Sequence, residues 1–131
     1  RKGFTLGECQ VDLAVASNRD RNSLELFAID PASGQVTGLG DVPTQLTDIY
    51  GLCMAQSPEG VVYAIPNDKD GRFIQYRLDG SSGQVTAKAV RHFTTETQPE
   101  GCVADDVRQQ LFIGEEGVGS CFSLSGTLDN G

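Results

Sequence analysis

Apolar and polar residues alternate in short runs along this chain, and the runs are separated by turns rich in glycine, proline and aspartate. The segment Phe73 to Leu78 shows the pattern best, because Ile74, Tyr76 and Leu78 would lie on the face opposite Phe73, Gln75 and Arg77. Helical periodicity is absent. Only Gln45 to Tyr50 could form a helical turn, and that segment is equally compatible with a loop. The pattern predicts an all-β protein.

The clearest unit consists of four predicted strands, each joined to the next by a short connection, which favours an antiparallel sheet. These strands are Gly51 to Gln56, Val61 to Ile65, Phe73 to Leu78 and Val85 to Phe93. A similar unit precedes it, with an innermost strand that is missing or degraded in Arg1 to Leu6; its strands are Val11 to Ser17, Leu24 to Asp30 and Val36 to Leu39. A third unit follows with strands at Gly101 to Ala104 and Leu111 to Gly114, after which the pattern fails.

These units are copies of one another. The segment NRDRNSLELFAIDPASGQVT, starting at Asn18, aligns without a gap on NDKDGRFIQYRLDGSSGQVT, and Asn67 follows Asn18 by 49 positions (67 − 18). Such a period indicates repeated supersecondary units, of which propeller blades are the leading all-β candidate. We expect an incomplete blade and loop over 1–50, a complete blade over 51–99, and an incomplete blade with a divergent tail over 100–131. A propeller needs about four blades or more, so we expect these two and a half blades to be a piece of a longer protein.

Composition narrows the choice of ligand. The net charge of −8 argues against nucleic acid as a partner, since phosphate backbones are bound by Lys and Arg. The single histidine, His92, makes an imidazole-based metal site improbable, whereas the abundant carboxylates suit a hard cation such as calcium. No apolar run is long enough to predict a transmembrane helix, so no membrane partner is expected.

The four cysteines have no metal-ligand spacing. Cys53 and Cys102 occupy matching places in successive copies, on short apolar runs, and we expect them to be buried free thiols. The sequence leaves the state of Cys9 and Cys121 open.

The chain lacks the residues that several phosphatase and metal-binding motifs require. Arg91-His92 lacks the glycine and second arginine of the histidine acid phosphatase signature. Cys102 and Arg108 have the spacing of cysteine-dependent phosphatases, but the acidic residues between them would repel a bound phosphate. The loop that contains Asp68 and Asp70 is not an EF-hand, because Pro66 occupies the first ligand position and Arg77 the twelfth.

Five residues stand out by position. Tyr50 and Glu100 each precede the glycine that opens an innermost strand, whereas Arg19, Lys69 and Glu116 lie in loops after a second strand. In blades arranged around an axis, these residues would gather at one mouth of the central channel. Cations and carboxylates at one mouth suit a site shared by metal ions and an anionic substrate. The alternative interpretation is that they are turn formers and solvated surface charges.

Several segments carry a family resemblance, in order and over nearly the whole chain. They are AVASNRD (14–20), DIYGLCM (48–54), YAIPNDKDGRFIQYRL (63–78), VRHF (90–93), TQPEGCVADD (97–106) and LFIGEE (111–116). The chain resembles the β-propeller phytases, calcium-dependent enzymes that remove phosphate from myo-inositol hexakisphosphate (phytate). The resemblance implies a six-bladed propeller of four-stranded antiparallel blades, of which this chain would form the middle.

The resemblance also implies roles for individual residues. Arg19 and Lys69 match phosphate-binding cations, Tyr50 matches a tyrosine at the calcium and phosphate site, and Glu100 and Glu116 match calcium-ligating carboxylates that help to hold the attacking water. It further implies Ca²⁺ as cofactor, phytate as small-molecule substrate, a monomer at full length, and secretion or a periplasmic location.

The chain departs from the family pattern after Glu116, where an expected tryptophan is lost, so we expect the tail from Gly117 to Gly131 to be divergent. We expect the isolated 131 residues to have little or no activity, because much of the metal site would be missing. Two alternatives stay open: a propeller that serves as a non-catalytic binding module, and a propeller hydrolase of another specificity, such as a lactonase-like enzyme.

Overall fold

The computed structural model describes residues 1–124, and these form eleven strands in antiparallel sheets that follow one another along the chain. The strands are β1 (Phe4–Leu6), β2 (Cys9–Asn18), β3 (Ser23–Ile29), β4 (Val36–Pro43), β5 (Ile49–Gln56), β6 (Val62–Asp68), β7 (Arg72–Asp79), β8 (Thr86–Thr94), β9 (Pro99–Asp105), β10 (Gln110–Glu115) and β11 (Val118–Ser123). Residues 1–124 contain no helix, and none of them forms a helix that could cross a membrane.

Each sheet is a blade in which consecutive strands are neighbours. The first blade has the order β1-β2-β3-β4, the second β5-β6-β7-β8, and the third β9-β10-β11. After β4 and β8 the chain crosses from the last strand of one blade to the first strand of the next. Strand β5 packs against β2 of the first blade and against β9 of the third. The predicted all-β fold of four-stranded antiparallel blades is confirmed.

The core consists of two apolar layers between the blades. One layer joins Leu13 and Leu24 of the first blade to Ile74 and Tyr76 of the second. The other layer joins the second blade to the third; its buried members are Cys53, Ala55, Ile65, Phe73, Phe93, Leu111, Ile113 and Leu124. Alternate residues of β7 therefore enter opposite layers, as its period-two pattern predicts.

Three local expectations need correction, and one open choice is decided. The first blade does keep a first strand, β1, although it is short. Strand β6 continues past Ile65 to Asp68. Of the two possibilities for Gln45 to Tyr50, a helical turn or a loop, the structure has a loop with bends that leads into β5. The region after Gly117, which we expected to diverge from the pattern, supplies β11, which pairs with β10 in regular register. The remainder of the predicted tail, residues 125–131, lies outside the described residues.

The expectation of free thiols at Cys53 and Cys102 is wrong, because the two residues form a disulfide with 6.0 Å between their Cα atoms. They lie on β5 and β9, the first strands of adjacent blades, which pack side by side. Matching positions in successive repeats are therefore neighbours in space, and this Cα separation suits a disulfide. Cys9 and Cys121 are free and exposed.

Candidate functional site

Tyr50 lies at a β-bulge at the beginning of β5. Ile49 pairs with Asp68 and Gly51 pairs with Asn67, so Tyr50 is the extra residue on its strand. An extra residue disrupts the ladder locally and redirects the side chain it carries. The Tyr50 side chain is half-buried.

Two cations lie over the Tyr50 ring, and they come from different blades. The guanidinium carbon of Arg19, in the β2–β3 loop, lies 5.7 Å from the ring centre. The Lys69 ammonium nitrogen, in the β6–β7 loop, lies 5.5 Å from it. Both distances are within the range of cation–π attraction. The structure therefore brings together Arg19, Tyr50 and Lys69, three of the five residues singled out by sequence.

The segment that leads into Tyr50 holds both loops. The side-chain oxygen of Asn22, in the Arg19 loop, accepts a hydrogen bond from the Ile49 N–H at 3.0 Å. On the other side, the Asp68 carboxylate accepts the Asp48 N–H at 3.0 Å. The loops are thus fixed to the same short segment, which accounts for the approach of their cations to one ring.

Glu100 occupies the position in the third blade that Tyr50 has in the second. Gly101 pairs with Gly114 and Pro99 pairs with Glu115, which leaves Glu100 as the extra residue at the beginning of β9. Its side chain is exposed. Tyr50 and Glu100 therefore begin two adjacent first strands at the same end of the blades.

Glu116 is the counterpart of Lys69. The Glu116 N–H donates to the Gln98 carbonyl at 3.1 Å, just as the Lys69 N–H donates to the Asp48 carbonyl at 3.3 Å. Both residues directly follow the second strand of a blade, and both are exposed. All five residues therefore lie at the strand ends and loops of one end of the blades, although direct side-chain contact is shown for Arg19, Tyr50 and Lys69 alone.

A family profile described as Phytase matches residues 1–127, which include every residue of this site. The chain belongs to the phytase family. It is 39% identical over 124 residues to the 3-phytase of Bacillus subtilis (strain 168), a match that covers 88% of this chain and 32% of that protein. The phytase-family chain thus spans about a third of the length of this relative. It is also similar, at a TM-score of 0.48 and 14% identity, to the β-propeller domain of Myceliophteria thermophila Cps50 (Swd1), covering 88% of this chain and 36% of that one.

The donor atoms of this phytase-family site are of the type that calcium binds, but they are fewer than a calcium ion takes. Glu100, Glu116 and the Tyr50 hydroxyl offer oxygen, which hard cations prefer. Within residues 1–124, however, no three acidic, histidine or cysteine side chains are grouped closely enough to hold a metal ion. Calcium takes about six to eight oxygen ligands. Glu100, Glu116 and Tyr50 alone would therefore provide fewer oxygen ligands than a calcium ion takes.

Two site-forming residues escaped the sequence analysis. Asn22 stands in a polar loop with a positive φ of 50°, a conformation that the residue pattern of the loop does not indicate. Asp68 is 1% exposed although it stands among loop-type residues, NDKDG, that suggest a solvated turn. One feature of the sequence could have indicated its burial: Asp68 stands at the end of an apolar strand, and a carboxylate buried there needs hydrogen-bond donors.

Proposed function

We propose that the protein containing this chain is a phytase, a calcium-dependent phosphomonoester hydrolase that releases phosphate from myo-inositol hexakisphosphate. The observation that carries the proposal is that Arg19 and Lys69, from two different blades, both lie close to the centre of the Tyr50 ring, at 5.7 Å and 5.5 Å. This geometry lies within a chain that belongs to the phytase family. The relative from Bacillus subtilis is named a 3-phytase, which supports the same substrate.

Arg19 and Lys69 would bind phosphate groups of the substrate. Both residues are exposed, and within residues 1–124 neither of them forms an ion pair. Guanidinium and ammonium groups make charge-assisted hydrogen bonds to phosphate oxygens. Because they come from loops of two blades, they can contact different phosphates of one ring or two oxygens of one phosphate.

Glu100, Glu116 and Tyr50 would supply part of a calcium site beside these cations. Calcium bound there would lower the pKa of a coordinated water and offset charge on the phosphoryl oxygens. The remaining ligands would come from parts of the protein outside this chain, consistent with the 32% of the Bacillus relative that the match covers. For the same reason we expect the isolated 131 residues to be inactive, and the whole protein to be a monomeric six-bladed propeller.

We further propose that the protein is secreted or periplasmic. The Cys53–Cys102 disulfide supports this location, because disulfides persist in oxidising compartments and are rare in the cytosol. Calcium is also more available outside the cytosol.

The test is phosphate release from phytate by the full-length protein, with calcium and after chelation. We compare wild type with Glu100→Gln and, as a control, Glu59→Gln, since Glu59 is an exposed acid in the β5–β6 turn at the far end of the blade. We expect activity that needs calcium, is lost in Glu100→Gln and is kept in Glu59→Gln. Phosphate release that is unchanged by chelation and by Glu100→Gln would contradict the proposal. Absence of all hydrolysis would favour a binding module, and lactone hydrolysis that inositol phosphates do not inhibit would favour a lactonase-like enzyme.

A further inference from the structure

A buried carboxylate immediately precedes Lys69. The Asp68 side chain is 1% exposed, and it accepts three hydrogen bonds: from the Asp48 N–H at 3.0 Å, from the Thr47 N–H at 3.3 Å, and from the Arg72 guanidinium. Arg72 donates in addition to the Thr47 hydroxyl at 2.9 Å. One carboxylate thus joins the β6–β7 loop to the segment that leads into Tyr50.

The hydrogen bonds of the buried Asp68 carboxylate are difficult to replace, because they offset the cost of burying its charge. An ionised carboxylate without partners is costly to bury, and the cost is offset here by two N–H donors and one guanidinium. Removing the carboxylate would take away the acceptor of two partly buried hydrogen bonds, from the Thr47 and Asp48 N–H groups, and the loss of such hydrogen bonds is unfavourable. We therefore expect the segment 47–49 to be held less firmly against the loop 68–71 in its absence, since within the described residues only the hydrogen bond from the Lys69 N–H to the Asp48 carbonyl and the Ile49–Asp68 pairing would then join them.

The third blade repeats this arrangement. Glu115 pairs with Pro99 as Asp68 pairs with Ile49, and Glu115 directly precedes Glu116 as Asp68 directly precedes Lys69. One Glu115 carboxylate oxygen accepts the Glu96 N–H at 3.0 Å and the Thr97 N–H at 3.4 Å. In both blades an acid at the end of the second strand thus accepts hydrogen bonds from the segment that leads into the first strand of the same blade.

We propose that Asp68 and Glu115 are positioning residues for the phosphate and metal site, Asp68 for Lys69 with Tyr50 and Glu115 for Glu116 with Glu100. Neither acid contacts the substrate. Each fixes the loop that carries one functional residue against the bulge that carries another. The expected change in KM for phytate rests on the proposed function. The expected change in Kd for a ligand that is not hydrolysed does not require phosphate release.

The experiment uses the full-length protein and a double-mutant cycle. Asp68→Ala and Asp68→Asn are made in wild type and in a Lys69→Ala background, with Asp105→Asn as the matched control. Asp105 also pairs with an arginine, Arg108, at 2.9 Å, but it lies at the far end of β9 from Glu100. KM and kcat for phytate, and the Kd of the non-hydrolysable polyanion myo-inositol hexasulfate, are measured below the melting temperature of every variant.

We expect Asp68→Ala to raise KM and Kd by about fivefold or more while kcat falls less, because a displaced Lys69 loses its contact with phosphate. Asp68→Asn keeps one acceptor oxygen, so its effect should be intermediate. In the Lys69→Ala background the same changes should alter Kd less than about twofold, since residues that act through one another are not additive. Asp105→Asn should match wild type. The corresponding change for the third blade, Glu115→Ala, should raise the calcium concentration needed for half-maximal activity.

A lower melting temperature in Asp68→Ala with KM and Kd within about twofold of wild type would overturn the proposal, because the role would then be stability alone. Equal losses in the two backgrounds would also overturn it. If Asp68→Ala does not fold, Asp68→Asn carries the test by the same criteria. If wild type binds the hexasulfate but releases no phosphate from phytate, the proposed hydrolysis fails, and the positioning role is judged on Kd.

Discussion

The ammonium nitrogen of Lys69 lies 5.5 Å from the centre of the Tyr50 ring, although 19 positions separate the two residues (69 − 50). The contact depends on two local features. A β-bulge turns Tyr50 out of the ladder at the beginning of β5. The hydrogen bond from the Lys69 N–H to the Asp48 carbonyl, at 3.3 Å, keeps the lysine loop beside that bulge. Arg19 approaches the same ring from the first blade.

The ring and the hydroxyl of Tyr50 should have separable roles. Tyr50→Leu removes both cation–π contacts, so Arg19 and Lys69 are positioned less well, and we expect a rise in KM for phytate of about threefold or more. Tyr50→Phe keeps the ring and should leave KM close to wild type, but it should raise the calcium requirement if the hydroxyl is a ligand. Steady-state kinetics at several calcium concentrations distinguish the role of the ring from the role of the hydroxyl. Equal kinetics for Tyr50→Leu and wild type would count against the site.

Reduction of the Cys53–Cys102 disulfide should lower the melting temperature. The disulfide closes a loop with a sequence separation of 49, for which chain-entropy models give a stabilisation of about 4 kcal/mol. We expect dithiothreitol to lower the Tm of wild type and of a Cys9→Ser/Cys121→Ser variant, which keeps the disulfide. The Cys53→Ala/Cys102→Ala variant should start at a lower Tm and show no response. A response to dithiothreitol in that variant would assign the effect to something other than this disulfide.

Acid should lower the free energy of unfolding by protonating Asp30 and Asp79, which lie in matching turns of the first and second blades. The Ser33 N–H holds the pKa of Asp30 below its usual value, and the Ser81 N–H does the same for Asp79. Both pKa values are lower in the folded state, so the stability they contribute is present above about pH 4 and is lost as the pH falls through the folded values. Urea unfolding of an Asp30→Asn/Asp79→Asn variant should therefore show a shallower loss of stability between about pH 5 and pH 3 than wild type. Identical slopes would contradict these assignments.

Gly71 should tolerate no side chain. Its φ is 97°, and a Cβ atom there would lie 2.7 Å from the Thr95 carbonyl oxygen. We expect Gly71→Ala to destabilise the protein by about 2 kcal/mol or more, since both the backbone conformation and the clash are unfavourable. Gly38→Ala is the control, because a Cβ at Gly38 meets nothing within 4 Å. Chemical denaturation of both variants checks the difference.

Much of the fold could be predicted from the sequence because the blades obey simple rules. Period-two alternation in β7 assigned Ile74 and Phe73 to opposite faces, and they enter opposite core layers. The repeat gave the order of the sheets. The failure at Cys53 and Cys102 has a physical reason: local apolar runs indicate burial, but only the packing of β5 against β9 shows that the two thiols meet.

The site could be predicted in part. Residue type and loop position selected Arg19, Tyr50 and Lys69, and the structure brings them together. Asp68 was missed because its sequence neighbours are those of a solvated turn, and its burial depends on donors from Thr47 and Asp48 in the preceding connection. Residue patterns within one loop cannot reveal such partners. The roles of Glu100 and Glu116 remain predictions for the variants described above.

The most direct test of the proposed site is the KM for phytate of the full-length Lys69→Met variant, measured with saturating calcium beside wild type and a Lys88→Met control. Lys88 is an exposed lysine on β8, the last strand of the second blade. A charge-assisted phosphate contact is worth about 1.5–3 kcal/mol, so we predict a KM at least tenfold higher for Lys69→Met and unchanged for Lys88→Met. The same KM in all three proteins would contradict the claim that the cations beside Tyr50 bind the substrate.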